Sequence, residues 1–293
     1  MTNSLRRVSG HAAAALMLAL CAAAASTAAA TVQLEDLTWP ELQARIAAGS
    51  TTVLVPVGGT EQNGPYMALG KHNARVRVLA ARVAERLGNA VVAPVLAYVP
   101  EGAVEPATQH MRWPGTISIP AAAFEATLEG AARSLQRHGL CQVVLLGDHG
   151  GYRASLDRVA AKLNREWAAT ACRVHALPEY YRASSADFAS ALRAQGYPAV
   201  EIGTHAGLAD TALTLATAPA LVRSEALGRK AAGQASTQAS TQASTPDGVA
   251  GDPRRATAEL GRPGSDHIVD ASVAAIRLAV AAAARAAPRK TTP

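Results

Sequence analysis

Residues 53 to 73 read VLVPVGGTEQNGPYMALGKHN. The first five, Val53 to Val57, are a short β-branched run of the kind that forms a buried strand. The run breaks at Gly58-Gly59, where backbone angles closed to other residues are open. Polar groups follow at once: Glu61, Asn63, Tyr66, Lys71, His72 and Asn73. Open α/β sheets deliver their sites from the C-terminal ends of buried strands. The stretch therefore reads as a strand carrying a site, in preference to a solvated loop.

Working outward, the same alternation recurs. Apolar runs predict further strands at 90–99, 142–146 and 173–177, and helical spacing predicts helices at 38–47, 74–87, 121–138 and 153–168. Thr38 is placed as an N-cap with Pro40 in the first turn, and Gly88 and Gly139 close two of the helices. Shorter helical patterns follow at 185–194 and 206–216, and a last one at 265–286. Strands alternating with helices at this spacing imply parallel pairing and a single-domain, layered α/β/α fold with a mostly parallel central sheet. The polar segments after the 53 and 142 strands then meet on one edge of the sheet.

A chain of 293 residues with 49% hydrophobic content is long enough for one large core. Residues 1–30 stand outside it. Arg6 and Arg7, an apolar run at 11–25 and Ala28-Ala29-Ala30 form a signal-peptide pattern, too short to span a membrane. The expectation is a periplasmic or secreted domain at 31–293, with no stable membrane insertion after cleavage. Removing the leader leaves 26 basic against 22 acidic side chains, a mild and unclustered excess. With aromatics at only 4%, no nucleic-acid partner is expected. Cys141 and Cys172 open two strands, and read as small buried hydrophobes, although neighbouring parallel strands would set the thiols side by side. QAST is written three times from 234 to 245, within a stretch at 229–250 that has nothing to bury and reads as a flexible loop. The tail at 288–293 reads as frayed.

Three segments offer metal-ligand chemistry: Glu61 and His72 from the first, His149 from GDHGG at 147–151, and Asp210 from the segment at 203–213. Imidazole with carboxylate suits zinc, manganese or iron. Asp148 reads as a helix cap or as a group orienting a ligand histidine. His138, His175 and His267 read as structural.

The opening stretch resembles the creatininase pattern T/S-E-Q-H-G-P-H-L-P-L-G-T-D. HMRWPGTISI at 110–119, GDHGG, GTHAGLADTAL at 203–213 and GDPRRATAELGR at 251–262 follow in the family's order. The resemblance runs from about Leu34 onward. It implies a metal-dependent hydrolase of small amides, assembled as a homo-oligomer (a hexamer in relatives). By this resemblance Glu61, His149 and Asp210 fall on positions around the metals, and His205 on the catalytic histidine, with Asp210 beside it in the same motif. The chain also departs from the pattern. Asn63 stands for a histidine, His72 for the aspartate that bridges two metals, Gly151 for a glutamate, and Leu208 for a glutamate of many members. These departures predict one divalent ion per chain, held by Glu61, His72, His149 and Asp210, with Asn63, Tyr66, Asn73 and His110 shaping the substrate site. The rival reading is a family scaffold that has lost hydrolysis and serves as a periplasmic small-molecule binding protein.

Because closure entropy grows slowly with loop length, deleting 234–245 is expected to leave the melting temperature almost unchanged in a thermal scan.

Overall fold

The computed structural model describes residues 31–227 and 246–286. The leader at 1–30, the QAST repeats and the tail at 288–293 lie outside the described residues. From Val32 onward the described residues belong to one α/β unit.

Among the described residues four strands form one parallel sheet: β1 (Thr52–Val57), β2 (Ala90–Val92), β3 (Gln142–Gly147) and β4 (Arg173–Ala176), in the order β2-β1-β3-β4. Val53 pairs with Val91 on one side and Val143 on the other, and Val144 pairs with His175. The helices are α1 (Trp39–Ala47), α2 (Lys71–Leu87), α3 (Ala121–Arg137), α4 (Arg153–Glu166), α5 (Pro178–Arg182), α6 (Phe188–Ala194), α7 (Ala199–Ile202), α8 (Leu208–Thr217), α9 (Ser224–Leu227) and α10 (Ala258–Ala286).

Side chains of a strand alternate between faces, and β1 and β3 are buried on both. Leu54, Val144 and Leu146 face one layer, with Leu79 and Val83 of α2, Leu213 of α8 and Ile268 and Ile276 of α10. Val53, Val55, Val143 and Leu145 face the other, with Phe124 and Leu128 of α3 and Leu156 and Leu163 of α4. The layered α/β/α expectation is met. Since β1 connects to β2 on one side and β3 lies on its other side, the sheet reverses its winding between β1 and β3. Their C-terminal ends therefore frame the crevice that open parallel sheets use for ligands.

Local chemistry accounts for the element ends. Thr38 and Glu41 form a capping box at α1, with the Thr38 N–H donating to Glu41 Oε2 at 2.7 Å. The strand expected at 90–99 stops at Val92, because Pro94 has no N–H to give the ladder. Beyond it the Ala93 and Leu96 N–H groups still donate to the β1 carbonyls of Leu54 and Pro56, and Val99 then forms a single bridge with Ser118 outside the sheet. The helix expected at 185–194 is part of a longer one, α5 running into α6 through a π-helical turn at Ala183–Asp187. The last helix begins seven residues earlier than expected, at Ala258, and carries Pro263 within it. Cys141 and Cys172 correct the reading of two separate thiols: they are joined as a disulfide, set side by side by the β3–β4 pairing.

Gly261 is where α10 meets α8: a Cβ there would lie 1.9 Å from the Ala212 carbonyl oxygen. Gly130 on α3 has nothing within 4 Å of the same position. Gly261→Ala is expected to lower the unfolding free energy by about 2 kcal/mol through overpacking. Gly130→Ala should raise it by about 1 kcal/mol through helix propensity. Urea midpoints of the two variants check both signs.

Candidate metal centre

The site grows from three chain reversals at the C-terminal edge of the sheet. Gly58 permits the first, since a Cβ there would sit 2.1 Å from Asn73 Oδ1. That oxygen accepts the Gly59 N–H at 2.9 Å, and Asn73 Nδ2 donates to Thr60 Oγ1 at 3.2 Å. Asn63 Nδ2 ties the loop on itself, donating to the carbonyls of Glu61 and Ala68. The Tyr152 hydroxyl, buried beneath, contacts the Val57 and Gly58 carbonyls at 2.7 Å and accepts the N–H groups of Asp148 and His149. It locks the end of β1 to the end of β3.

Glu61 is fully buried, and its two oxygens have different surroundings. Oε1 accepts from His72 Nε2 at 2.8 Å, with Lys71 Nζ and His205 Nδ1 each 3.7 Å away. Oε2 has no hydrogen-bond partner, although His110 Nε2 lies 3.0 Å and His149 Nε2 3.4 Å from it. Both oxygens of buried Glu101 are also without a hydrogen bond, and Oε2 lies 3.5 Å from His149 Nδ1. Glu61, Glu101, His110 and His149 each direct one ligand atom into a common space, all within 4.8 Å of one another.

This donor set fits a divalent ion. Orphaned carboxylate oxygens in an apolar interior are costly unless a cation meets them. Burial, and then the charge of Glu61, pushes the Glu101 carboxyl up to about 10, so the pair lacks a positive partner between them. Burial pushes His149 down to about 4, leaving a neutral imidazole with the free lone pair a ligand needs. Two carboxylates and two neutral imidazoles suit zinc or manganese.

Behind Glu61 lies an ion-pair network. His72 bridges Glu61 Oε1 and Asp148 Oδ2, the latter at 2.6 Å from Nδ1. Burial and Lys71 oppose its protonation, but these two carboxylates outweigh them and raise its pKa. Arg75 donates through Nε to Asp148 and through Nη1 to Asp210 Oδ1. Lys71, wholly buried, donates to Asp210 Oδ2 at 2.6 Å. Asp148 also accepts the Tyr180 hydroxyl. On the near side His205 Nε2 lies 2.9 Å from the Gln62 carbonyl. A carbonyl only accepts, so the proton sits on Nε2 and Nδ1 keeps its lone pair.

The expected residues thus separate into groups. Glu61 and His149 come together as expected, and His110, expected against the substrate, lies among the ligand atoms. His72 lies beside Glu61 but has both ring nitrogens engaged by carboxylates. Asp210 lies outside the four-residue group: Lys71, Arg75 and the Ala206 N–H take its oxygens. Asp148 does not cap α4, whose first residues follow Tyr152; it holds His72 and Arg75. Asn63 and Asn73 serve as loop clamps, and Tyr66 packs against a small cluster of Met67, Ala206, Val222 and Val249. Glu101 and Arg75 were not anticipated, and Lys71 was named among the polar groups of the loop without a role. Glu101 had a signal: it follows the apolar run 90–99 after a single Pro100, as Glu61 follows β1 after a short turn.

A model of the family described as creatininase, creatinine amidohydrolase, matches residues 35–276. The chain is 36% identical over 114 residues to the creatinine amidohydrolase of Pseudomonas putida, covering 39% of this chain and 43% of that protein. It is 37% identical over 119 residues to the mycofactocin precursor peptide peptidase of Mycolicibacterium smegmatis, covering 39% and 45%. These matches span less than half the length of either relative. Among solved structures, a manganese creatininase aligns with a TM-score of 0.69 at 26% identity, over 85% of this chain and 99% of that one. A Zn-Zn type creatininase mutant aligns at 0.68, with 26% identity, over 85% and 98%.

Glu101→Gln and His149→Ala are each expected to lower the bound zinc or manganese at least tenfold in affinity, read by elemental analysis after dialysis, with the circular dichroism spectrum unchanged. Glu101→Gln keeps the volume and removes the charge, so its effect separates ligation from packing.

Proposed function

Because this chain belongs to the creatininase family, we propose that it is a metal-dependent hydrolase that opens the C–N bond of a small amide, with one divalent ion per chain. The observation that carries the reading is the set of bare carboxylate oxygens, Glu61 Oε2 and both oxygens of Glu101, buried against His110 and His149. Those four residues would hold the ion. When bound there, it would supply Lewis-acid chemistry, polarising an amide carbonyl and lowering the pKa of water.

The chain's own groups account for the rest. His205 is pushed down to about 3 by burial and by Lys71, so its imidazole is neutral. With Nε2–H donating to Gln62, its Nδ1 takes the proton of the attacking water and then delivers it to the departing nitrogen. Gln62 Nε2, donating to the Gly248 carbonyl at 3.1 Å, braces the strip on which His205 pairs with Ala250. His72, held between Glu61 and Asp148, fixes the angle of the Glu61 carboxylate.

One ion, in place of the two that the name of the Zn-Zn type structure implies for that relative, follows from His72 and Asn63. His72 gives both ring nitrogens to carboxylates, and Asn63 offers only a neutral amide oxygen, its nitrogen being spent on carbonyls. Creatinine itself is accordingly expected to be a poor substrate. The signal-peptide pattern and the Cys141–Cys172 disulfide support export to an oxidising compartment. Self-association into a homo-oligomer is carried by the family resemblance alone.

The test is to strip the protein with a chelator, reload it with zinc or manganese, and offer cyclic amides, linear amides and short peptides. The expected outcome is hydrolysis of at least one class by reloaded protein and none by stripped protein. Reloaded protein that binds members of the panel and cleaves none of them would establish the binding-protein reading instead.

A further inference from the structure

A cavity of about 430 Å³ opens beside the centre, lined on its inner side by Lys71, His149 and His205 and on its outer side by Tyr181, Ser185 and Arg193. It is distinct from a larger groove of about 900 Å³ that runs along α10, away from these side chains. The cavity wall carries Lys71, Arg75 and Arg193 against two carboxylates, Asp148 and Asp210.

The two carboxylates are already spent. Asp148 receives His72, Arg75 and the Tyr180 hydroxyl; Asp210 receives Lys71, Arg75 and the Ala206 N–H. Arg75 is consumed between them. Lys71 is not. An ammonium has three N–H donors, and among the described residues Asp210 is the one acceptor within hydrogen-bond distance, Glu61 Oε1 being 3.7 Å away. Arg193, at the mouth, forms no ion pair among the described residues. A free arginine on a surface is ordinary. Here it shares a cavity with a wholly buried lysine that is paired with Asp210 and has N–H donors to spare, and both acids of the wall are already taken by Lys71, Arg75 and His72.

The outer wall is formed by an irregular stretch of helix. The π-helical turn Ala183–Asp187 widens the helix between α5 and α6 and brings Ser184 and Ser185 to the cavity. Such turns cost a regular hydrogen bond and cluster at functional sites. Both hydroxyls donate back to the Tyr181 carbonyl. The Tyr181 hydroxyl itself lies against Gly150, at 2.6 Å from where a Cβ would be, next to His149.

We infer that this cavity takes an amide that also carries a carboxylate, with the carboxylate paired to Arg193 at the mouth and the amide carbonyl turned toward Lys71 at the floor. A guanidinium offers a carboxylate two parallel N–H bonds, and Lys71 supplies the donor that the carbonyl oxygen requires as it gains charge. N-acylated amino acids and the C-terminal residues of peptides have this composition. The inference rests on the proposed hydrolase reading for the orientation of the amide, and its test is made at equilibrium so that it does not depend on turnover.

The experiment compares N-acetylglycine with its uncharged counterpart N-acetylglycinamide, by calorimetric titration into zinc-loaded protein. N-acetylglycine is expected to bind about tenfold more tightly, with the ratio shrinking as salt is raised. Arg193→Ala should bring the two ligands within about twofold of each other while metal content is unchanged. Lys71→Met should weaken both ligands alike. Equal affinities in the wild type, no binding of either compound, or a preference that survives Arg193→Ala would each overturn the inference. The last of these would assign the carboxylate to the metal. A failure of the hydrolase reading appears separately, as binding with the expected ratio but no cleavage of the amide panel.

Discussion

The Glu61 carboxylate is the point on which this structure turns. One oxygen is held by the His72 imidazole and the other is left bare in the interior. A buried carboxylate costs several kcal/mol unless its lone pairs are met, so the bare oxygen has to be answered by something positive. Glu101, bare at both oxygens, adds to the demand, and two neutral imidazoles close the ring.

The paired oxygen has a different consequence. Holding it fixes His72, His72 fixes Asp148, and Asp148 with Asp210 fixes Arg75 and Lys71. Buried ion pairs of this kind are poor sources of net stability but strong determinants of a unique arrangement when every partner is present. Removing one member strands a charge. The network lies on the α2 side of the sheet reversal, and the donor group on the side where β3 ends. Glu61 stands between an array of the chain's own cations and a space suited to an added one.

Departures from the family pattern are therefore linked and not independent losses. A histidine at 72 would be a poor substitute for a bridging carboxylate if it had to bind a metal. It serves instead as a link, its two ring nitrogens held between the Glu61 and Asp148 carboxylates. The absence of a glutamate at Gly151 is matched in the same way by Glu101, which approaches His149 from the segment after β2. Gly59 leaves room for that approach, since a Cβ there would lie 2.6 Å from Glu101 Oε1.

Much of this was legible in the sequence alone. The β-branched run 53–57, the alternation of strands with helices, and the polar loops after two buried strands determined a parallel α/β fold with its site on one sheet edge. They also determined that Glu61 and His149 would meet there, because local pattern sets element type and handed crossovers set which ends converge. The division of labour among the polar side chains was decided only by the tertiary structure. Glu101 lies in a short irregular segment with no periodicity to read, Lys71 opens α2 with nothing in its spacing to mark its partner, and whether His72 or Asp210 binds a metal or a neighbouring charge depends on distances of an ångström between residues far apart in the chain. Sequence reports which donors and acceptors exist; burial and contact decide which of them are left unpaired, and chemistry begins at the unpaired ones.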